Sequence, residues 1–211
     1  MFNHLTRFLI FSLVLIFPFL FNVEEAGSST LPSVTIDSEL LQDGDLIFRK
    51  GRSLVSRIVL LADGNSPYSH IGIVKKSNGS VFVIHSVPAE EEFEKDKIKI
   101  EPVELFCRVD RCSEVAVYRI SSADKNSLAP AIEYALTALK KHLPFDGNFD
   151  LTTDESLYCT ELVWKAFLKS GIDLVGKEFD SVSLPFGPAK CILPGRILNN
   201  PRLKHIVTSN K

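Results

Sequence analysis

The sequence predicts an α+β domain: a small antiparallel sheet packed against helices. Three observations carry that prediction. Two apolar, strand-like runs flank Ser77-Asn78-Gly79, and Asn-Gly between such runs is the strongest short-range hairpin signal. Residues 127–142 place Leu128, Ile132, Ala135, Leu136 and Leu139 on one helical face. A second helical pattern starts near Cys159, recurs through Leu162, Ala166 and Phe167, and ends at Gly171.

The elements follow in chain order. His4 and Arg7 precede an uncharged run from Phe8 to Phe21. Fourteen helical residues reach about 21 Å, short of a ~30 Å hydrocarbon core. Small and polar residues follow, which is the grammar of a signal peptide. We assign residues 1–27 to a signal peptide, or to an uncleaved N-terminal anchor, and residues 28–38 to a linker. Residues 39–211 form one domain, long enough for a real core. The expected location is exported: periplasmic, extracellular or membrane-anchored. The formal charge of −2 and the lack of a basic stripe argue against nucleic acid.

Asp43-Gly44-Asp45 reads as a turn into a short strand. Residues 53–61 read as a helix with Ser53 as N-cap and Leu54, Ile58 and Leu61 at helical spacing. Strands at about 69–75 and 80–87 form the hairpin. The charged stretch from Glu90 to Lys99 is expected as a solvated loop or edge, and residues 114–120 as a strand. Pro144 stops the long helix. The tail, rich in Pro and Gly, is expected as irregular structure with one more short strand.

Cys159 stands at the predicted start of a helix. A thiol there meets the positive end of the dipole and unpaired N–H groups, which lower its pKa and can also hold an oxyanion. The alternative is an inert buried cysteine. His70 and His85 lie on opposite arms of the hairpin, near enough to be cross-strand neighbours. They suit a base and its orienter, two structural strand histidines, or, with the cysteine, a zinc site that would compete with a thiolate. Cys107 and Cys112 are spaced to close a small loop. Asp146, Asp150 and Asp154 lack the ligand pattern of a calcium loop, and loop-stabilising hydrogen bonds are their expected use.

The segments LQDGDLIF, YSHIGIV, VFVIHSVP and LPFDGNFDLTTDESLYCTELVWKAF occur in that order over about residues 40–170. Together they resemble the YiiX/YebB-like family of permuted NlpC/P60 (papain-like) cysteine hydrolases, in which the histidine precedes the cysteine. The resemblance implies a circularly permuted papain-like fold with Cys159 as nucleophile and His70 as base. It implies His85 as the third polar member, where many relatives carry Glu, and Tyr158 lining the site or its oxyanion hole. Asp45 and Glu161 match family positions and read as structural. The implied activity is hydrolysis of an amide, in a peptide or an N-acyl group, through a Cys thioester, with cell-wall peptides as one substrate class. A lipid-directed acyl hydrolase or acyltransferase, like the lecithin–retinol acyltransferase branch, and a non-catalytic binding module are the alternatives. No cofactor and no metal are expected. The partner is a small peptide, acyl-amide or lipid substrate near a membrane or cell wall.

Overall fold

A computed structural model describes residues 31–210 apart from 91, 92, 94, 122–125, 185 and 186. The expected signal peptide or anchor lies outside the described residues. The elements are β1 (Leu46–Gly51), α1 (Leu54–Ala62), β2 (His70–Ser77), β3 (Ser80–Val87), β4 (Lys97–Pro102), α2 (Val103–Phe106) and β5 (Cys112–Ile120). They continue with α3 (Ala129–Lys140), α4 (Cys159–Lys169), β6 (Asp180–Leu184), β7 (Gly187–Cys191), α5 (Pro194–Leu198) and β8 (Leu203–Asn210).

Six strands form one antiparallel sheet in the order β4-β3-β2-β1-β5-β8. The hairpin register follows from its turn. Ser77 pairs with Ser80, and the two residues between them, Asn78 (φ 50°) and Gly79 (φ 80°), are both left-handed. Asn and Gly tolerate that region, and two such residues match the twist of the flanking strands.

Alternation sorts the strand side chains into two cores. Leu46, Phe48, Ile71, Ile73 and Ile84 face α3 and α4, in a cluster completed by Ala135, Leu162 and Phe167. Ile47, Val74, Val83, Val115 and Val117 face the other way, against Val34, Leu41 and Phe106. The helices α3 and α4 thus lie on one face, and α2 with the segment before β1 closes the other. Asp45 is buried in the turn before β1, where it accepts from Gln42 N–H (2.8 Å) and is clamped by Arg119 (2.6 and 2.7 Å).

Three expectations are corrected. The helix α1 forms where predicted, with Ser53 accepting from Ser56 N–H at 3.1 Å. Its apolar stripe, however, faces outward: Leu54, Ile58 and Leu61 are 74, 57 and 87 % exposed. Spacing defines a stripe but not what lies opposite it. The Glu90–Lys99 stretch leads into edge strand β4 as an edge was expected, and Phe93, Lys95 and Asp96 are exposed, but its last residue is not solvated. Lys99 and Glu101 are buried on the face that carries His85, because each charge has a partner. The tail holds more order than one short strand: the β6–β7 hairpin, α5, and the eight-residue β8 that extends the main sheet beside β5.

Candidate active site

The setting of Cys159 is built by its two neighbours. Tyr158 Oη accepts from Ile192 N–H at 2.9 Å, and Thr160 Oγ1 donates to Ile192 C=O at 2.6 Å. Both peptide groups of Ile192 are therefore occupied by the first turn of α4. The strand side contributes Ser86, whose Oγ donates to Leu157 C=O at 2.5 Å. At the N3 position, the buried Glu161 accepts from Tyr158 N–H at 3.3 Å, a cap that bears out its structural reading. With its flanks pinned, Cys159 is left half-buried and lines two cavities.

The first cavity, about 320 Å³, is shared by Cys159 and His70 with Arg49, Arg52, Glu90 and Arg111. The second, about 430 Å³, is mostly apolar and is lined by Ile58, Leu61 and Ala62 of α1 and by Val182, Ile192 and Pro194. Tyr158 lines this second cavity, its ring buried and its hydroxyl engaged by Ile192.

His70 and His85 meet as the hairpin predicted. His70 Nε2 lies 2.8 Å from His85 Nδ1, and His85 Nε2 lies 3.1 Å from Glu101 Oε1. The bonding fixes both tautomers. A carboxylate only accepts, so His85 carries its proton on Nε2 and presents a bare Nδ1. That atom accepts from His70 Nε2–H, which leaves His70 Nδ1 as the free base. The carboxylate at the end of the row thus sets which nitrogen is basic two residues away. Gly72 makes room for the row: a Cβ there would meet Val83 Cγ1 at 2.4 Å and His85 Cβ at 3.2 Å.

Phe106 stacks on His70, with ring centroids 5.7 Å apart, and takes the edge of His85 at 5.1 Å. Arg49 lies over the Phe106 ring, 4.6 Å from its centroid, and donates to Phe106 C=O at 3.0 Å. Arg49 also pairs with Glu90, while Arg111 (2.9 Å) and Lys99 (3.3 Å) pair with Glu101. The residues sequence reading missed are Glu101 and Arg49. A signal for Glu101 existed: Lys97, Lys99 and Glu101 alternate with Ile98 and Ile100, and such alternation marks a strand. Its abundance of charge read instead as solvent exposure.

The electrostatics revise one expectation. Burial pushes the Cys159 thiol up to about 11, against the opposing pull of the Ile71, Thr160 and Cys159 N–H groups and of Arg49. The N–H groups expected at the helix start are present, but burial outweighs them. Burial also holds His70 well below the ordinary imidazole range, and the Arg49, His85 and Lys99 charges add to it. His85 is lowered by burial, with Glu101 opposing. The Glu101 carboxyl is held well below its usual range: burial alone would raise it, but its bond to His85 and the charges of Lys99 and Arg111 prevail. Both shifts favour the neutral forms of Cys159 and His70, which line the same cavity.

The remaining sequence candidates lie elsewhere. Cys107, Cys112 and Cys191 are buried free thiols, so the loop between Cys107 and Cys112 is not closed by a bridge. Asp146 accepts from Asn148 N–H (2.8 Å) and Asp150 N–H (2.6 Å), and Asp150 from Thr152 N–H (2.9 Å), as expected of loop-stabilising aspartates.

The family described as permuted papain-like amidase enzymes, YaeF/YiiX, C92, matches residues 40–207. The uncharacterized protein YiiX of Escherichia coli K12 is 30 % identical over 188 residues, which span 86 % of this chain and 85 % of that one. A crystal structure titled metalloprotein yiiX, from Escherichia coli O157:H7, shares the fold with a TM-score of 0.62 at 21 % identity, covering 79 % of this chain and 96 % of that one. With a matching profile over most of its length, a YiiX relative of nearly equal span and the same fold, this chain belongs to the permuted papain-like amidase family.

Proposed function

We propose that the protein is a cysteine amidase that hydrolyses an amide bond through a thioester on Cys159. The observation that carries this is the cavity in which Cys159 and His70 stand together, with His70 Nε2 committed to the row His85–Glu101. A base whose other nitrogen is fixed by a partner in turn fixed by a carboxylate is the arrangement nucleophilic catalysis needs.

The steps follow from the neutral forms of the two groups. As Sγ attacks the carbonyl carbon, its proton passes to His70 Nδ1. The imidazolium that forms is stabilised through His85 by Glu101. The oxyanion is held by the Cys159 N–H and a neighbouring N–H at the start of α4. His70 returns the proton to the departing amine as the C–N bond breaks, leaving a thioester. Water, deprotonated by His70, then attacks the thioester; the carboxylic acid leaves and the thiol is restored. Tyr158 acts from behind, placing the first turn of α4 through Ile192.

The related crystal structure carries the word metalloprotein in its title. The residues here do not fit a metal at this site. His85 has both ring nitrogens engaged, by His70 and Glu101, which leaves only His70 and Cys159 as free donors. Among the described residues no group of three or more His, Cys, Asp or Glu is placed to hold an ion. No step is routed through one.

An exported amidase would meet both cell-wall peptides and N-acyl lipids. The deciding experiment is mass-spectrometric trapping of an acyl adduct from a pool containing both. An adduct on Cys159, lost in Cys159→Ala, supports the reading; turnover that survives Cys159→Ala overturns it.

A further inference from the structure

The helix α1 carries an apolar face that the fold leaves uncovered. Leu54, Val55, Ile58 and Leu61 are 74, 43, 57 and 87 % exposed, and their spacing sets them on one side of the helix. Arg57, on the flank of that face, is the only charged residue in the helix. Phe93, three residues beyond the cavity residue Glu90, is 94 % exposed. Apolar side chains grouped in this way on a surface mark a place where something docks.

The point where the chain enters the fold says what docks. The first described residues run beside the loop that leads into β5: Ser33 bridges to Arg108, and Pro32 C=O accepts from Val109 N–H at 2.9 Å. In the same loop Arg111 C=O accepts from Arg52 N–H at 2.9 Å, and the next residue, Ser53, caps α1. The chain thus comes in at the end of the sheet where α1 starts. The uncharged run from Phe8 to Phe21 ends ten residues before Leu31, a tether that cannot exceed about 36 Å.

We propose that the run from Phe8 to Phe21 is retained as an anchor and that α1 lies on the surface of the same bilayer with its apolar face in the lipid. Nine residues of helix bind a membrane weakly by themselves. A short tether holds them at high effective concentration, and two weak signals together give stable attachment. A second copy of the chain is the poorer occupant: nine helical residues are about 14 Å long and ~10 Å wide, a face far below the ~800 Å² per partner of a stable dimer. The charge fits an anionic surface. From Leu46 to Ala62 the sequence holds Arg49, Lys50, Arg52 and Arg57 and no acidic residue, and Arg52 and Arg57 are exposed. Seating α1 also turns the cavity of Cys159 and His70 toward the lipid, since Val55 and Val59 line it. The docking does not depend on the amidase reading.

The test is tryptophan fluorescence of the full chain reconstituted in vesicles of phosphatidylcholine and phosphatidylglycerol with brominated acyl chains, read above the signal of the native Trp164. In Leu61→Trp the added indole should be quenched about twofold or more and shifted to the blue, because the apolar face of such a helix sinks ~5–10 Å into the headgroup boundary. In Lys204→Trp, exposed on β8 opposite Arg119 at the other end of the sheet, it should stay unquenched. Adding Leu54→Ser and Ile58→Ser to Leu61→Trp should remove most of the quenching with the melting temperature nearly unchanged, since both side chains are exposed. Arg57→Glu should weaken the quenching more in the mixed vesicles than in phosphatidylcholine alone. Equal quenching of the two tryptophan variants, or quenching that survives the two serine substitutions, overturns the docking. A blue shift that follows protein concentration and not lipid overturns the bilayer as occupant and identifies a second copy. The intact mass of the chain recovered from the membranes of the producing cell should include residues 1–27; their loss overturns the anchor and the proposal with it.

Discussion

The helices α1 and α4 look alike in sequence and differ in everything that follows. Each is about ten residues long, and each has apolar residues at helical spacing. In α4 the stripe is sealed: Leu162, Val163, Ala166 and Phe167 are fully buried. In α1 none of the nine residues is buried. The difference lies in what faces them. The sheet and α3 cover α4, while α1 stands beside a cavity. Rigid packing suits the helix that holds Cys159 in place. The uncovered stripe of α1 instead forms one apolar wall of that cavity. Helical periodicity thus measures amphipathicity, and only tertiary context says whether the apolar side is core or binding surface.

The sharpest way to break this contrast is at the start of α4. Cys159→Ala should lower turnover by more than about 10⁴-fold while leaving the melting temperature nearly unchanged, checked by amine release and thermal unfolding. Within the same helix, Phe167→Ala should cost about 3–5 kcal/mol of unfolding free energy by denaturant titration, because it opens a void in a sealed core.

Behind the site, Glu101→Gln should reduce kcat by about 10²-fold with KM little changed, since an amide stabilises the charged row less well than a carboxylate. His85→Glu by itself should fail, because it sets a second carboxylate against Glu101; adding Glu101→Gln should restore part of the rate. The smallest effect belongs to α1. Leu61→Ser should change stability by less than about 0.5 kcal/mol, and a larger loss would show that α1 is part of the core after all.

Proton linkage sharpens the same picture. His70 is lowered below the ordinary imidazole range and the thiol is raised to about 11. The working form, both groups neutral, therefore spans a wide window. The acid limb of kcat/KM should fall below pH 6.5, and the rate should hold or rise through pH 9, without the alkaline fall that a preformed thiolate–imidazolium pair would give. Stability has its own sign. His85 is lowered in the fold, so the unfolded chain takes up a proton first as pH drops below 6.5. Glu101 is also lowered, so its contribution is present above 4.5 and is lost as pH falls further. Both act in one direction, and acid titration followed by circular dichroism should show stability declining from about pH 6.5 downward.

Much of the architecture was legible because its signals are local. The Asn78-Gly79 turn fixed the hairpin, hence the meeting of His70 and His85, and Gly171 with Cys159 bounded α4 closely. What was not legible depends on distant partners. Glu101 reads as one charge among many until β4 is paired with β3, which sets Lys99 opposite His85. The thiol's direction of shift was misjudged because a helix start is a sequence feature, whereas burial is a property of the assembled fold. The outward face of α1 and the placement of β8 beside β5 were hidden for the same reason.

The hairpin has one more consequence, which concerns time. His70 and His85 are joined by fifteen residues of chain and one tight turn, contacts of the kind that form in about 1–10 μs. The thiol comes from far along the chain, and the sheet that supports it is completed only by β8, near the last residue. Non-local closure of this kind is slow compared with a hairpin. A nascent chain therefore brings His70 and His85 together long before Cys159 is in place beside them. In this chain order the permutation works as a delay between the histidine pair and the thiol that joins it.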